Sequence, residues 1–215
     1  MDYKELMDLL SSAPYYTKQN LDLKIKGNTE YWIKKLLKEG LLINLKKGTY
    51  ISPYYIDTAL KTPQEKERYF EYLANVLRKP SYVSLEYMLA KYGAIPEAVF
   101  SISSVTTKIT RSYNTEVGSF LYRSISSNLF TGYKEVKFKD KSVKVAKLSK
   151  ALFDFIYFKE LKEEDLLDFL TASARINWDV FEKGTLDEFY SYLKFTDSLK
   201  MQTAYEIIKK KGLLC

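Results

Sequence analysis

The chain has 215 residues, 46% of them apolar or aromatic, which is enough for a buried core and long enough for two domains. It has no apolar run of about eighteen residues and no basic-then-apolar start, so a membrane span and a secretory leader are not expected. The lone Cys215 and the lack of any histidine fit a reducing cytoplasm and exclude Ser-His and Cys-His catalysis, and the net charge of +7 is unevenly placed.

Residues 24–47 hold seven lysines against two acids, and residues 93–158 hold ten basic residues against five acids. The tail from 159 onward is slightly acidic. Positive charge is thus concentrated on two stretches, the pattern that matters for a polyanionic partner.

Leu6, Leu9 and Leu10 at helical spacing predict a first helix over 2–11. Thr17 caps a second, from Lys18 to about Lys24, and Asn28 caps a third that runs to Glu39 with Gly40 beyond its end. On the third helix Trp32, Ile33, Leu36 and Leu37 form the inward stripe. Leu41–Leu45 then reads as a strand, Lys46-Lys47-Gly48 as a tight turn, and Thr49–Ile51 as the returning strand.

Three short helices followed by a basic-tipped hairpin is the order of a winged helix-turn-helix, assigned to residues 1–55. The third helix of such a unit fits the major groove of duplex DNA. Asn28, Thr29 and Tyr31 at its start are then the candidates for base contacts. Lys34, Lys35, Lys38 and the turn residues Lys46 and Lys47 are the candidates for phosphate contacts. Lysines on an outer helix face are also commonly just solvated. Winged helices serve as protein-binding adaptors too, which is the alternative reading.

Pro53–Lys61 reads as a connector with apolar residues. Thr62-Pro63-Gln64-Glu65 is a capping box opening a helix to about Leu77, and Ser84 caps another that ends at Gly93. Alternating runs from about 98 to 146 predict a sheet, with Tyr133–Phe138 and Ser142–Ala146 as a hairpin across Lys139-Asp140-Lys141. From Ser149 to about 211 the pattern is helical. The fold class is therefore α+β: a winged helix-turn-helix, then an α/β domain over 56–215 with a mainly antiparallel sheet and a helical tail.

Thr106, Thr107, Lys108, Arg111 and Arg123 are expected to form one polar, basic cluster on neighbouring strands. Lys150 and Asp154, one helical turn apart, read as a surface or capping pair. The acids Asp154, Glu160, Glu163, Glu164, Asp165 and Asp168 follow one another along helix surfaces instead of converging, so no metal site is expected. No glycine loop that would cradle a phosphate occurs, and no cofactor is expected.

From Tyr82-Val83-Ser84-Leu85-Glu86-Tyr87-Met88-Leu89 and Tyr92-Gly93-Ala94-Ile95-Pro96-Glu97 onward, the chain resembles the AbiEi-type antitoxins of type IV toxin–antitoxin systems. Ser104–Lys108, Gly118–Arg123, Ala146–Asp154 and the Lys-Lys-Gly-Thr-Tyr turn carry the same resemblance, which spans roughly 3–160. Leu148 departs from the pattern, because similar sequences often have Thr-Pro before Glu-Lys.

The resemblance implies a cytoplasmic repressor that binds inverted repeats in its own promoter. It also implies that the C-terminal domain antagonises a nucleotidyltransferase-like toxin without a stable complex. No enzymatic activity is expected, and a monomer or weak dimer is, since two monomers loading side by side meet the symmetry of a palindrome.

Overall fold

The computed structural model of the chain describes residues 3–213. It is an α+β fold that opens with α1 (Tyr3–Ser11), β1 (Tyr16–Thr17), α2 (Lys18–Lys24) and α3 (Thr29–Lys38). The hairpin β2 (Ile43–Lys46) and β3 (Thr49–Ile51) follows. The caps form as the sequence dictates: Thr17 Oγ1 accepts from the Asn20 amide, and Asn28 Oδ1 accepts from the Tyr31 amide. Gly40 ends α3 at a φ of +68°, a conformation that favours glycine. The three strands make an antiparallel sheet in the order β1-β3-β2. With only two residues, β1 is too short to show alternation and has no sequence signal.

The segment read as a connector is instead a helix, α4 (Pro53–Ala59), with proline in its first turn and Tyr55 buried. Proline's fixed φ suits that position, which the connector reading overlooked. The capping box of Thr62 and Glu65 opens α5 (Pro63–Leu77). Next come β4 (Ser81–Val83), wholly buried and so without alternation, and α6 (Leu85–Lys91).

The strands β5 (Ile102–Thr106), β6 (Arg111–Thr115), β7 (Gly118–Ser124), β8 (Tyr133–Phe138) and β9 (Lys141–Ala146) complete a six-stranded sheet in the order β6-β7-β5-β4-β9-β8. The sheet is mixed: β4–β9 and β5–β7 pair in parallel and the other neighbours are antiparallel. It also begins at residue 81, well before the expected start. The tail contains α7 (Leu148–Phe158), an irregular helical segment with α8 (Leu166–Asp168), then α9 (Thr185–Leu193) and α10 (Leu199–Lys210).

Helix α5 covers one sheet face, where the Tyr122 hydroxyl donates to the Ala74 carbonyl at 2.7 Å. The Asn75 side chain clamps the backbone of Lys144, donating to its carbonyl and accepting from its amide. Tyr82, on the opposite face, reaches Asp154 of α7. A small core holds α1, α2 and α3 through Leu10, Leu21, Ile33 and Leu36, and the large core fills both sides of the six-stranded sheet.

The hairpin is sandwiched between the two. Tyr50 packs towards the small core, whereas its strand neighbour Ile51, with Leu45 of β2, joins the large one beside Tyr55 and Tyr69. Each such apolar side chain contributes about 1.5–3 kcal/mol when buried, so Leu45 and Ile51 fix the hairpin firmly. The Tyr69 hydroxyl adds a 2.6 Å hydrogen bond to the Pro14 carbonyl. Among the described residues no helix is long and apolar enough to cross a membrane.

Candidate functional site

Helix α3 presents the most distinctive outer face. Ile33 and Leu36 lock its inner side into the small core, so the helical period turns Tyr31, Lys34, Lys35 and Lys38 outward. Tyr31 is 59% exposed, a large area for an aromatic ring, and meets Trp32 edge-on. Lys35 lies 5.1 Å above the Trp32 ring and 4.0 Å from Glu39, which holds it along the helix. Lys34 and Lys38 have no ion pair among the described residues.

Three expected contact residues have other engagements. Thr29 is only 7% exposed and faces inward, because the first turn of α3 abuts the small core. Asn28 spends its side-chain oxygen on the helix cap, although the residue itself stays exposed. Lys46 turns away from the hairpin tip and donates to the Leu77 carbonyl at 2.6 Å, filling an orphan acceptor in the last turn of α5. Lys47 alone of the turn pair is exposed.

Lys18 is a residue that sequence reasoning missed. Its amide donates to the Gly48 carbonyl, and its ammonium pairs with Glu30 at 2.5 Å, holding that carboxyl below the usual carboxylate range. It therefore ties the hairpin turn to the start of α3. Its place directly after the Thr17 cap was the only signal available.

The structure breaks up the second expected cluster. Thr106 is fully buried, its hydroxyl donating to the Pro80 carbonyl and accepting from the Lys108 amide. Arg111 pairs with Tyr122 across the β6–β7 ladder and so shares that residue's face, lying 5.8 Å from the Tyr113 ring. Arg123, one residue further along β7, projects from the opposite face. Thr107, Lys108, Arg111 and Arg123 are all exposed but do not form one site.

No protein-family model matches the chain, and no curated protein matches it.

The Lys150–Asp154 pair is not on the surface. Both side chains are 0% exposed, 2.8 Å apart, because α7 packs between α6, the sheet and the tail helices α9 and α10. Asp154 Oδ2 accepts from Ser84 at 2.7 Å and from Tyr82 at 3.0 Å, and the ammonium lies 4.5 Å over the Phe153 ring. Burial pushes the Asp154 carboxyl up, opposed by Lys150 and the two hydroxyls.

A cleft of about 610 Å³ opens nearby between the starts of α7 and α9. The Glu188 carboxylate bridges Lys147 and the Ser149 hydroxyl there, which keeps its pKa low. Among the described residues no group of His, Cys, Asp or Glu is placed to hold a metal ion.

Proposed function

We propose that the first fifty or so residues are a winged helix-turn-helix and that the chain is a sequence-specific repressor of duplex DNA. The observation that carries this reading is the outer face of α3, where Tyr31, Lys34 and Lys38 stand exposed on a helix whose other side is locked in a core. A helix of this kind fits the major groove, with an aromatic and hydroxyl-bearing side chain at its start and ammonium groups spaced for phosphates. The element order and the β1-β3-β2 sheet support the same reading.

The resemblance to AbiEi-type antitoxins extends it. On that basis the chain represses its own operon by binding promoter inverted repeats, in the cytoplasm, as a monomer or weak dimer. Its larger domain, outside the winged unit, antagonises a nucleotidyltransferase-like toxin. No catalytic step is assigned to it.

The test is a reporter gene placed behind the chain's own upstream region. The wild-type protein should repress it, and Tyr31→Ala/Lys34→Ala should release it at equal protein level. Repression that survives the double substitution would place recognition elsewhere. No repression by either protein would favour the adaptor reading. Rescue from the product of a neighbouring nucleotidyltransferase-like gene tests the antitoxin role separately.

A further inference from the structure

We propose that the loop joining β5 to β6, residues 107–110, is a second contact for duplex DNA, with Ile109 as an apolar probe between Lys108 and Arg111. The inference rests on the DNA-binding reading above and extends the footprint beyond α3.

Charge is the first argument. No acid occurs between Glu97 and Glu116, although Lys108 and Arg111 lie in that stretch. The exposed side chains around the loop are hydroxyls and cations, Thr107, Thr110, Ser112 and Ser124 among them. That is the donor set that phosphate oxygens accept from.

Rigidity is the second. The loop is fastened at three points: the Lys108 amide donates to Thr106 Oγ1, Arg78 Nη2 donates to the Ile109 carbonyl at 2.6 Å, and the Ser124 amide donates to Thr110 Oγ1. A loop held this way still leaves Ile109 74% exposed. An aliphatic side chain fixed in water and flanked by cations has the make-up of the wedges with which proteins press between base steps.

Position is the third. Arg78, which holds the loop, directly follows Leu77, whose carbonyl receives Lys46 of the hairpin. Strand β2 also lies beside β6. On the other side of the hairpin, Gly48 binds Lys18, and Lys18 binds Glu30 at the start of α3. These contacts set the loop-bearing strand β6 beside the hairpin that is itself tied to α3, and in this proposal a duplex seated on α3 extends past the hairpin to the loop.

The experiment measures affinity and salt dependence for two duplexes of about 40 base pairs, one from the chain's own upstream region and one of random sequence. The full-length wild type is compared with Lys108→Ala/Arg111→Ala, Ile109→Ser and Lys34→Ala/Lys38→Ala, each first checked for an unchanged thermal transition. Loss of the two loop cations should flatten the salt slope by about 2 on both duplexes, since each phosphate contact accounts for about 1. Ile109→Ser should weaken binding several-fold with the slope unchanged.

If the loop variants bind as the wild type does while Lys34→Ala/Lys38→Ala loses binding, the loop inference is overturned and the role of α3 stands. If the wild type binds neither duplex, both are overturned.

Discussion

The Lys46 ammonium donates a 2.6 Å hydrogen bond to the Leu77 carbonyl, thirty-one residues away at the end of α5. A lysine at a hairpin tip reads as a phosphate contact, yet here it fastens the hairpin to the end of α5. The neighbouring Lys47 stays in water. The two lysines should therefore separate experimentally.

Lys46→Met should cost about 1.5–3 kcal/mol of stability, the range for a charge-assisted hydrogen bond, with little change in the salt dependence of DNA binding. Lys47→Ala should leave stability within about 0.5 kcal/mol and flatten the salt slope by about 1. Chemical denaturation and fluorescence anisotropy on the same preparations distinguish them. A reversed pattern would assign Lys46 to the phosphates.

The Lys150–Asp154 pair should behave as a buried ion pair. Lys150→Met alone leaves a carboxylate without its cation and should destabilise by about 3–5 kcal/mol, whereas Lys150→Met/Asp154→Leu should recover much of the loss.

The single variant should also show a steeper pH dependence of stability than the wild type. Asp154 already has its pKa raised by burial, and removing the cation raises it further. The folded state then holds a proton that the unfolded chain releases above about pH 4, so stability falls as pH rises from there through the folded-state value. Denaturant midpoints of both proteins near pH 4.5 and pH 7.5 check this, and a variant whose midpoint falls no more than the wild type's would contradict it.

Gly132 has a φ of +74°, and a Cβ placed on it would stand 2.6 Å from the Tyr192 hydroxyl and 2.9 Å from Lys150 Cβ. Gly132→Ala should therefore destabilise by more than about 1 kcal/mol, through both strain and overlap. Gly184→Ala, with a similar φ of +85° but nothing within 4 Å of its Cβ, should cost less. Thermal melts of the pair test whether the packing around Lys150 is as tight as the geometry says.

At the start of α3, Thr29→Val should alter stability and leave DNA selectivity intact, because the side chain is buried. Tyr31→Ala should do the opposite. A loss of about 1–3 kcal/mol in discrimination between the upstream duplex and a random one would match a lost base-edge contact. Equal effects at both positions would mean that the face of α3 is not what reads the sequence.

Much of the fold was legible because local rules acted alone. The caps at Thr17, Asn28 and Thr62, the glycine after α3 and the β8–β9 hairpin each depend on a few adjacent residues, and each formed where the pattern placed it. The errors came where distant packing decided the outcome. Nothing near Lys46 in sequence announces Leu77, and the i,i+4 spacing of Lys150 and Asp154 says nothing about whether that helix face meets water. Arg111 and Arg123 looked like one cluster because sequence shows adjacent strands but not the register that sends them to opposite faces. β4 was missed because a three-residue strand buried on both sides has no alternation to read.

The most direct test of the DNA-binding proposal is anisotropy of the upstream duplex with wild-type protein and with Lys34→Ala/Lys38→Ala, at about 50 mM and about 200 mM salt. The expected result is tight wild-type binding that weakens steeply with salt, and a variant with lower affinity and a slope flatter by about 2. Binding that ignores both salt and the two substitutions would contradict the assignment of α3 to the DNA.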